Sequence, residues 1–139
     1  MPSQPLSFYF STRDPAFSTT TVVVKDAPDY ISHTFVKTPI YSFNDKPIGY
    51  KVSDDYVQQV APGKYIVRLN NTYHVDGRGS ISWQYTFMHD NPTVYYPVNV
   101  AANSNILNTT GEFYGQSGTV TLFPKEDGSR LVTVSFDNV

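Results

Sequence analysis

The stretch Lys64-Tyr65-Ile66-Val67-Arg68-Leu69-Asn70-Asn71-Thr72-Tyr73-His74-Val75, the turn Asp76-Gly77-Arg78-Gly79, and Ser80-Ile81-Ser82-Trp83-Gln84-Tyr85-Thr86-Phe87-Met88 form the most strongly patterned part of the chain. Successive side chains of a strand point to opposite faces of its sheet. In the first arm Tyr65, Val67, Leu69, Asn71, Tyr73 and Val75 share a face, opposite Ile66, Arg68, Asn70, Thr72 and His74. In the second, Ile81, Trp83, Tyr85 and Phe87 oppose Ser80, Ser82, Gln84 and Thr86. Asp76-Gly77 supplies the positive φ that a tight hairpin needs. The stretch reads as an antiparallel hairpin with one buried face along both arms.

The same rhythm continues on either side, with Pro, Gly, Asn and Asp punctuating short runs. Leu6-Ser7-Phe8-Tyr9-Phe10-Ser11 places Leu6, Phe8 and Phe10 on one face, and Thr19 to Lys25 is a β-branched run. Pro39 to Phe43 and Ile48 to Val52 flank the turn Asn44-Asp45-Lys46-Pro47. Further strands are expected over Val94 to Val100, Asn105 to Thr109, Gly118 to Phe123 and Arg130 to Phe136, the last two joined across Pro124 to Gly128. Such a meander exposes two edges unless it closes on itself. The expected fold is therefore all-β, a single eight-stranded (eight to nine) antiparallel up-and-down barrel covering 1–139. Its interior has room for side chains or one small ligand. Asp26 to Lys37, less patterned, is expected as a loop or crossover outside the barrel.

Composition agrees with one globular domain. Of 139 residues, 40% are hydrophobic, 16% charged and 15% aromatic, the aromatics being eleven Tyr, nine Phe and one Trp, a balance that suits half-buried pleated surfaces. The net charge is −2 and no Lys/Arg cluster occurs, so the footprint of a nucleic-acid binder is missing. No apolar run approaches the roughly 18 to 20 residues of a membrane span. Met1-Pro2-Ser3-Gln4-Pro5 lacks the charged and apolar regions of a signal peptide, so a soluble chain is expected. There is no Cys, which removes disulfides, thiolate metal sites and a Cys nucleophile and leaves the compartment open.

The stretch Ile106-Leu107-Asn108-Thr109-Thr110-Gly111-Glu112-Phe113-Tyr114-Gly115-Gln116-Ser117-Gly118-Thr119-Val120-Thr121-Leu122 resembles the late signature of the dirigent and allene oxide cyclase barrel superfamily: a Gly-rich turn, an aromatic, further glycines and an outgoing strand. Thr110, Gly111, Phe113, Gly115 and Gly118 match it. Leu6 to Phe10 is similar to the opening dirigent strand, and Pro39-Ile40-Tyr41 with Ile48-Gly49-Tyr50 is similar to the hairpin where those chains enter the barrel. Gly111, Gly115 and Gly118 read as corner or bulge positions, where a residue without Cβ is favoured. The resemblance implies an eight-stranded barrel, a homo-oligomer (dimer or trimer), whose lumen binds a small hydrophobic molecule and steers its cyclisation or radical coupling with no cofactor and no metal. The superfamily's catalytic residues do not carry over. Ser11-Thr12 stand where dirigent proteins have an acid, with Asp14 two residues later, and the Cys of the plant cyclases is absent.

Other constellations offer little chemistry. His33, His74 and His89 share no ligand-like spacing, and no strained Gly-x-Ser-x-Gly turn marks a nucleophile. Asp54-Asp55 and Glu126-Asp127 are adjacent acids whose side chains would point to opposite faces of a strand, and both read as solvated turns. Arg68 lies mid-strand; solvent is its ordinary place, and only if its face is the lumen does it become the candidate catalytic residue, polarising a ligand oxygen. Phe8, Phe10, Tyr73, Trp83 and Tyr85 are the candidate ligand-binding residues, set against the simpler reading that aromatic stripes fill the core. Two functions of different kinds compete. One is a cofactor-free barrel that binds a small hydrophobic molecule and promotes its cyclisation. The other is a structural or interaction protein, oligomeric or particle-associated, whose lumen is plugged by its own aromatics. A carbohydrate- or peptide-binding module using exposed Tyr is a third.

Overall fold

A computed structural model describes residues 4–137; Met1 to Ser3, within the opening stretch read for a leader, lie outside the described residues, as do Asn138 and Val139. Its elements are β1 (Leu6–Ser11), β2 (Ser18–Lys25), β3 (Ile31–Tyr41), β4 (Pro47–Ala61), β5 (Lys64–Val75), β6 (Gly79–His89), β7 (Ala102–Gly111), β8 (Gly118–Pro124) and β9 (Ser129–Phe136). Among the described residues no helix is long and apolar enough to cross a membrane.

From β3 to β9 each strand pairs antiparallel with the next, and β1 returns to close the ring between β9 and β3. Eight strands make a closed barrel, and β2 lies outside the ring, paired with β3 alone. The two joints of β1 are unequal. It meets β9 over six consecutive pairs, Leu6↔Val134 to Ser11↔Ser129, but β3 at Tyr9↔Tyr41 alone. Side chains reinforce that seam: the Tyr9 and Tyr41 rings stack at 5.5 Å, Tyr9 donates to Asp45 at 2.5 Å, and Tyr41 donates to Asp14 at 2.7 Å.

The hairpin that decides the fold is present as read. Val67, Leu69, Tyr73 and Val75 of β5 and Ile81 and Trp83 of β6 are buried in one core with Phe8, Phe10, Ile40, Val120, Leu122, Val132 and Val134. Each end of the barrel is stopped by an aromatic carried on a connection. Phe113, between β7 and β8, is fully buried and stacks on Phe136 at 5.8 Å; Tyr96, between β6 and β7, is buried at the other end. Glycine is required where strands turn at these ends. Gly118 has φ +156°, and a Cβ there would stand 2.0 Å from the Ser135 carbonyl oxygen. Gly111 is crowded in the same way by Arg78, whereas Gly115 has open space and serves only its turn, with φ +80°.

Three expectations need correction. Ile31 to Lys37 is not loop but the first half of β3, and of its inward residues Ser32, Thr34 and Val36 only the last is apolar, so the burial leaves no apolar alternation to read. Val94 to Val100 is not a strand. Pro92 and Pro97 lack the N–H a ladder needs, and Asn99 has φ 63°, so the chain crosses the barrel mouth as an irregular segment. Asp54-Asp55 is not a turn: β4 runs straight through it for 15 residues.

Candidate functional site

The pairing register stacks the inward side chains of neighbouring strands in layers. Thr38, Lys51, Tyr73 and Ile81 form one; Val36, Ser53, Asn71 and Trp83 the next; Thr34, Asp55, Leu69 and Tyr85 a third; and Ser32, Val57, Val67 and Phe87 the last toward the mouth. Alternation along β4 thus sends Lys51, Ser53 and Asp55 into the barrel beside aromatic walls. Lys51 is 4% exposed and Asp55 3%.

These three residues form a ladder. Lys51 Nζ donates to Ser53 Oγ at 3.0 Å, and Ser53 Oγ donates to Asp55 Oδ2 at 3.0 Å. The ammonium also lies 4.9 Å from the Phe10 ring centre, a cation–π contact. Asp55 Oδ1 is buried with no hydrogen-bond partner, as is Asn71 Oδ1 one layer away. Burial pulls the Lys51 ammonium down to about 8, an effect the Asp55 charge opposes and the Arg130 charge adds to. Burial lifts the Asp55 carboxyl to about 6, held back by Lys51, by the Ser53 hydrogen bond and by the Asn70 backbone N–H. A buried acid and a buried base that both titrate near neutrality are what proton-transfer sites contain.

The mouth above this ladder is covered by the segment between β6 and β7. Asn71 Nδ2 donates to the Tyr96 hydroxyl at 3.0 Å, and the Tyr96 ring lies close to parallel with Trp83 (6.4 Å, 15°) and Phe87 (6.4 Å, 24°). Burial raises the Tyr96 phenol well above its ordinary value. With Tyr96 in place the interior space bounded by Phe10, Lys51, Asp55 and Arg130 is about 20 Å³, room for one water-sized group. It shares the walls Thr19, Val94 and Tyr95 with an outer groove of about 190 Å³ that runs along Ser32, Thr34 and Val57. β2 forms one bank of that groove through Thr19 and Thr21. A larger hollow of about 300 Å³, at the opposite end by Leu6, Ile48 and Arg78, adjoins no part of the ladder.

Of the residues singled out in the sequence, Phe8, Phe10, Tyr73 and Trp83 are buried together and Tyr85 is half-buried beside them. Phe8 packs edge-on against Tyr73 at 4.9 Å, and Trp83 Nε1 donates to the Tyr73 hydroxyl at 3.0 Å. Phe10 alone of the five borders the inner space. Arg68 is exposed on the outer wall, opposite Tyr56 and Thr86, so its face is not the lumen. The interior cations are Lys51 and Arg130. The three histidines lie apart: His33 is paired with Asp54 and His74 stacked on Tyr50 on the outer wall, and His89 ends β6. Sequence reading missed Lys51, Ser53, Asp55, Tyr96 and Arg130. One signal for the first three existed: a strand that enters at Ile48-Gly49 and continues unbroken must turn residues 51, 53 and 55 to the same side as Gly49.

No protein-family model and no curated protein matches this chain. Among solved structures, one described as pyocyanin demethylase is similar over 96% of this chain and 100% of that one, with TM-score 0.65 and 13% sequence identity. At that identity the likeness is one of fold.

Proposed function

We propose that this chain is a small-molecule-binding barrel of the dirigent and allene oxide cyclase kind, which takes a hydrophobic ligand through the mouth by β2 and orients it over the Lys51–Ser53–Asp55 ladder. The observation that carries this reading is a buried Asp55 carboxylate, one of its oxygens unpaired, in the lining of an interior space that it shares with a buried lysine. Leaving a buried acceptor unpaired costs about 1–3 kcal/mol, and a barrel that only had to be stable would do better with an apolar side chain there. A fold neighbour named for acting on pyocyanin adds support. The residues present suit an intramolecular cyclisation or isomerisation. Asp55 takes a proton from one atom of the ligand and Lys51 returns one to another, so the ligand has no net change in protons or electrons. The proton then passes from Asp55 back to Lys51 through the Ser53 hydroxyl, which restores both groups, and no cofactor enters the step. The aromatic walls hold one conformer for it.

One observation favours the alternative, a structural or interaction barrel: the interior is closed down to about 20 Å³ by the protein's own side chains. A fragment screen followed by protein-observed NMR separates the two. Ligand binding predicts hits that move the indole N–H signal of Trp83, the one tryptophan, and that weaken when Asp55→Leu removes the acceptor. A screen in which no compound moves that signal overturns the proposal and leaves the structural role. Native mass spectrometry of protein from its own source tests the dimer or trimer that the resemblance implies.

A further inference from the structure

The segment across the mouth has few ties to the wall it covers. Among the described residues its backbone reaches the barrel through the Asn99 N–H to the Pro124 carbonyl at 2.8 Å. Asn99 Nδ2 also donates to Glu126 at 3.3 Å and Val94 packs on the core, but the segment's deepest anchor is Tyr96: a flat ring close to parallel with Trp83 and Phe87, tilted 31° to Tyr85 at 6.1 Å, with its hydroxyl accepting from Asn71 Nδ2. Those contacts are the ones a free phenol would make. Removing that ring would join the 20 Å³ space to the volume the ring fills, and beneath it two buried acceptors, Asp55 Oδ1 and Asn71 Oδ1, stand without donors.

Resting on the binding reading above, we propose that Tyr96 is a built-in stand-in for the ligand, and that the ligand class is a planar aromatic molecule bearing a hydroxyl donor, which enters as Tyr96 swings out. The aromatic body takes the place of the Tyr96 ring on β6, and its O–H donates to one of the two free acceptors. A plug that must leave first lowers apparent affinity by the fraction of molecules in which it is already out. Removing the plug therefore tightens binding, the reverse of what loss of a contact residue does.

The test titrates the wild-type protein with 1-naphthol, 1-methylnaphthalene and 1-decalol, by calorimetry and by the Trp83 indole signal. 1-Naphthol is expected to bind about ten-fold or more tightly than 1-methylnaphthalene, which lacks the hydroxyl, because the buried acceptors then stay unpaired. It should exceed 1-decalol, which keeps the hydroxyl but is neither flat nor aromatic, by a similar margin. Tyr96→Ala should bind 1-naphthol about ten-fold more tightly than wild type. Tyr96→Phe, which keeps the ring and loses only the Asn71 bond, should gain less, and it carries the test if the alanine variant does not fold. Unchanged or weaker affinity in the Tyr96 variants overturns the stand-in. If 1-decalol or 1-methylnaphthalene binds as well as 1-naphthol, the ligand class falls while interior binding stands. If none of the three moves the Trp83 signal in any variant, the inference falls together with the binding reading.

Discussion

Burial makes charge costlier for both Lys51 and Asp55, and the two effects have opposite consequences along the pH axis. The Asp55 carboxyl rises from 3.8 to about 6 on folding. The folded state then holds its proton more tightly, so this group's contribution is full below pH 4 and is lost as pH climbs through 6. Lys51 falls from 10.5 to about 8. The unfolded chain holds that proton more tightly, so its contribution is full above 10.5 and is lost as pH drops through 8. Between pH 6 and 8 both are charged and stability passes through a trough, on the order of 3 kcal/mol deep for each group at about 1.4 kcal/mol per pH unit. Urea unfolding across pH 4 to 10 should show the trough in wild type and its absence in Lys51→Met/Asp55→Asn. A flat difference between the two curves would contradict the burial of these charges. Lys51→Met alone should push the Asp55 titration, followed by NMR, above 6, because the nearest opposing charge is gone. Strand continuity from Ile48-Gly49 puts residues 51 and 55 on one face but does not say that this face is inward: a charged residue in a strand is ordinarily solvent-facing, and the inward face depends on a register set by the pairing with β3 and β5.

At the scale of the element, apolar alternation was legible wherever the inward face is apolar. The β5–β6 hairpin, β1, β8 and β9 follow it closely, whereas β3 and β4 interrupt their inward Val36, Ile40 and Val57 with Ser32, Thr34, Thr38, Lys51, Ser53 and Asp55 and so break the apolar alternation. The segment ahead of β7 misled in the opposite sense: Val94, Tyr95, Val98 and Val100 look like a strand, but two prolines deny it a ladder and leave a tether carrying one aromatic. The late glycines were readable for a steric reason that the structure bears out at Gly118, where a strand corner passes against the Ser135 carbonyl. Gly118→Ala should cost at least about 2 kcal/mol in chemical denaturation, through the backbone shift needed to clear that oxygen. Gly115→Ala, strained in φ but with open space around it, should cost less. Equal losses would mean that crowding is not what selects glycine at 118.

For the molecule as a whole, closure was legible because a long antiparallel meander has one simple way to bury its edges, and β9 indeed lies along β1. The place where the ring is fastened was not, since β1 turns away at Thr12 and the chain continues as β2 along the same neighbour. Tyr41→Ala, which removes both the ring stacked on Tyr9 and the hydroxyl on Asp14, should lower the melting temperature and speed amide hydrogen exchange first in β1. Exchange that quickens evenly over all strands instead would show that the joint is no weaker than the rest of the wall.

A hoop made of eight staves and secured at one of them by a single rung has a clasp. Local opening in such a molecule is cheapest at its least-bonded joint, so thermal fluctuations should part Tyr9 from Tyr41 while β1 stays with β9. The core would then be wetted from the side of Phe8 and Phe10 before any other strand lets go, and resistance to proteases should be decided by the two tyrosines and two aspartates that do up that clasp.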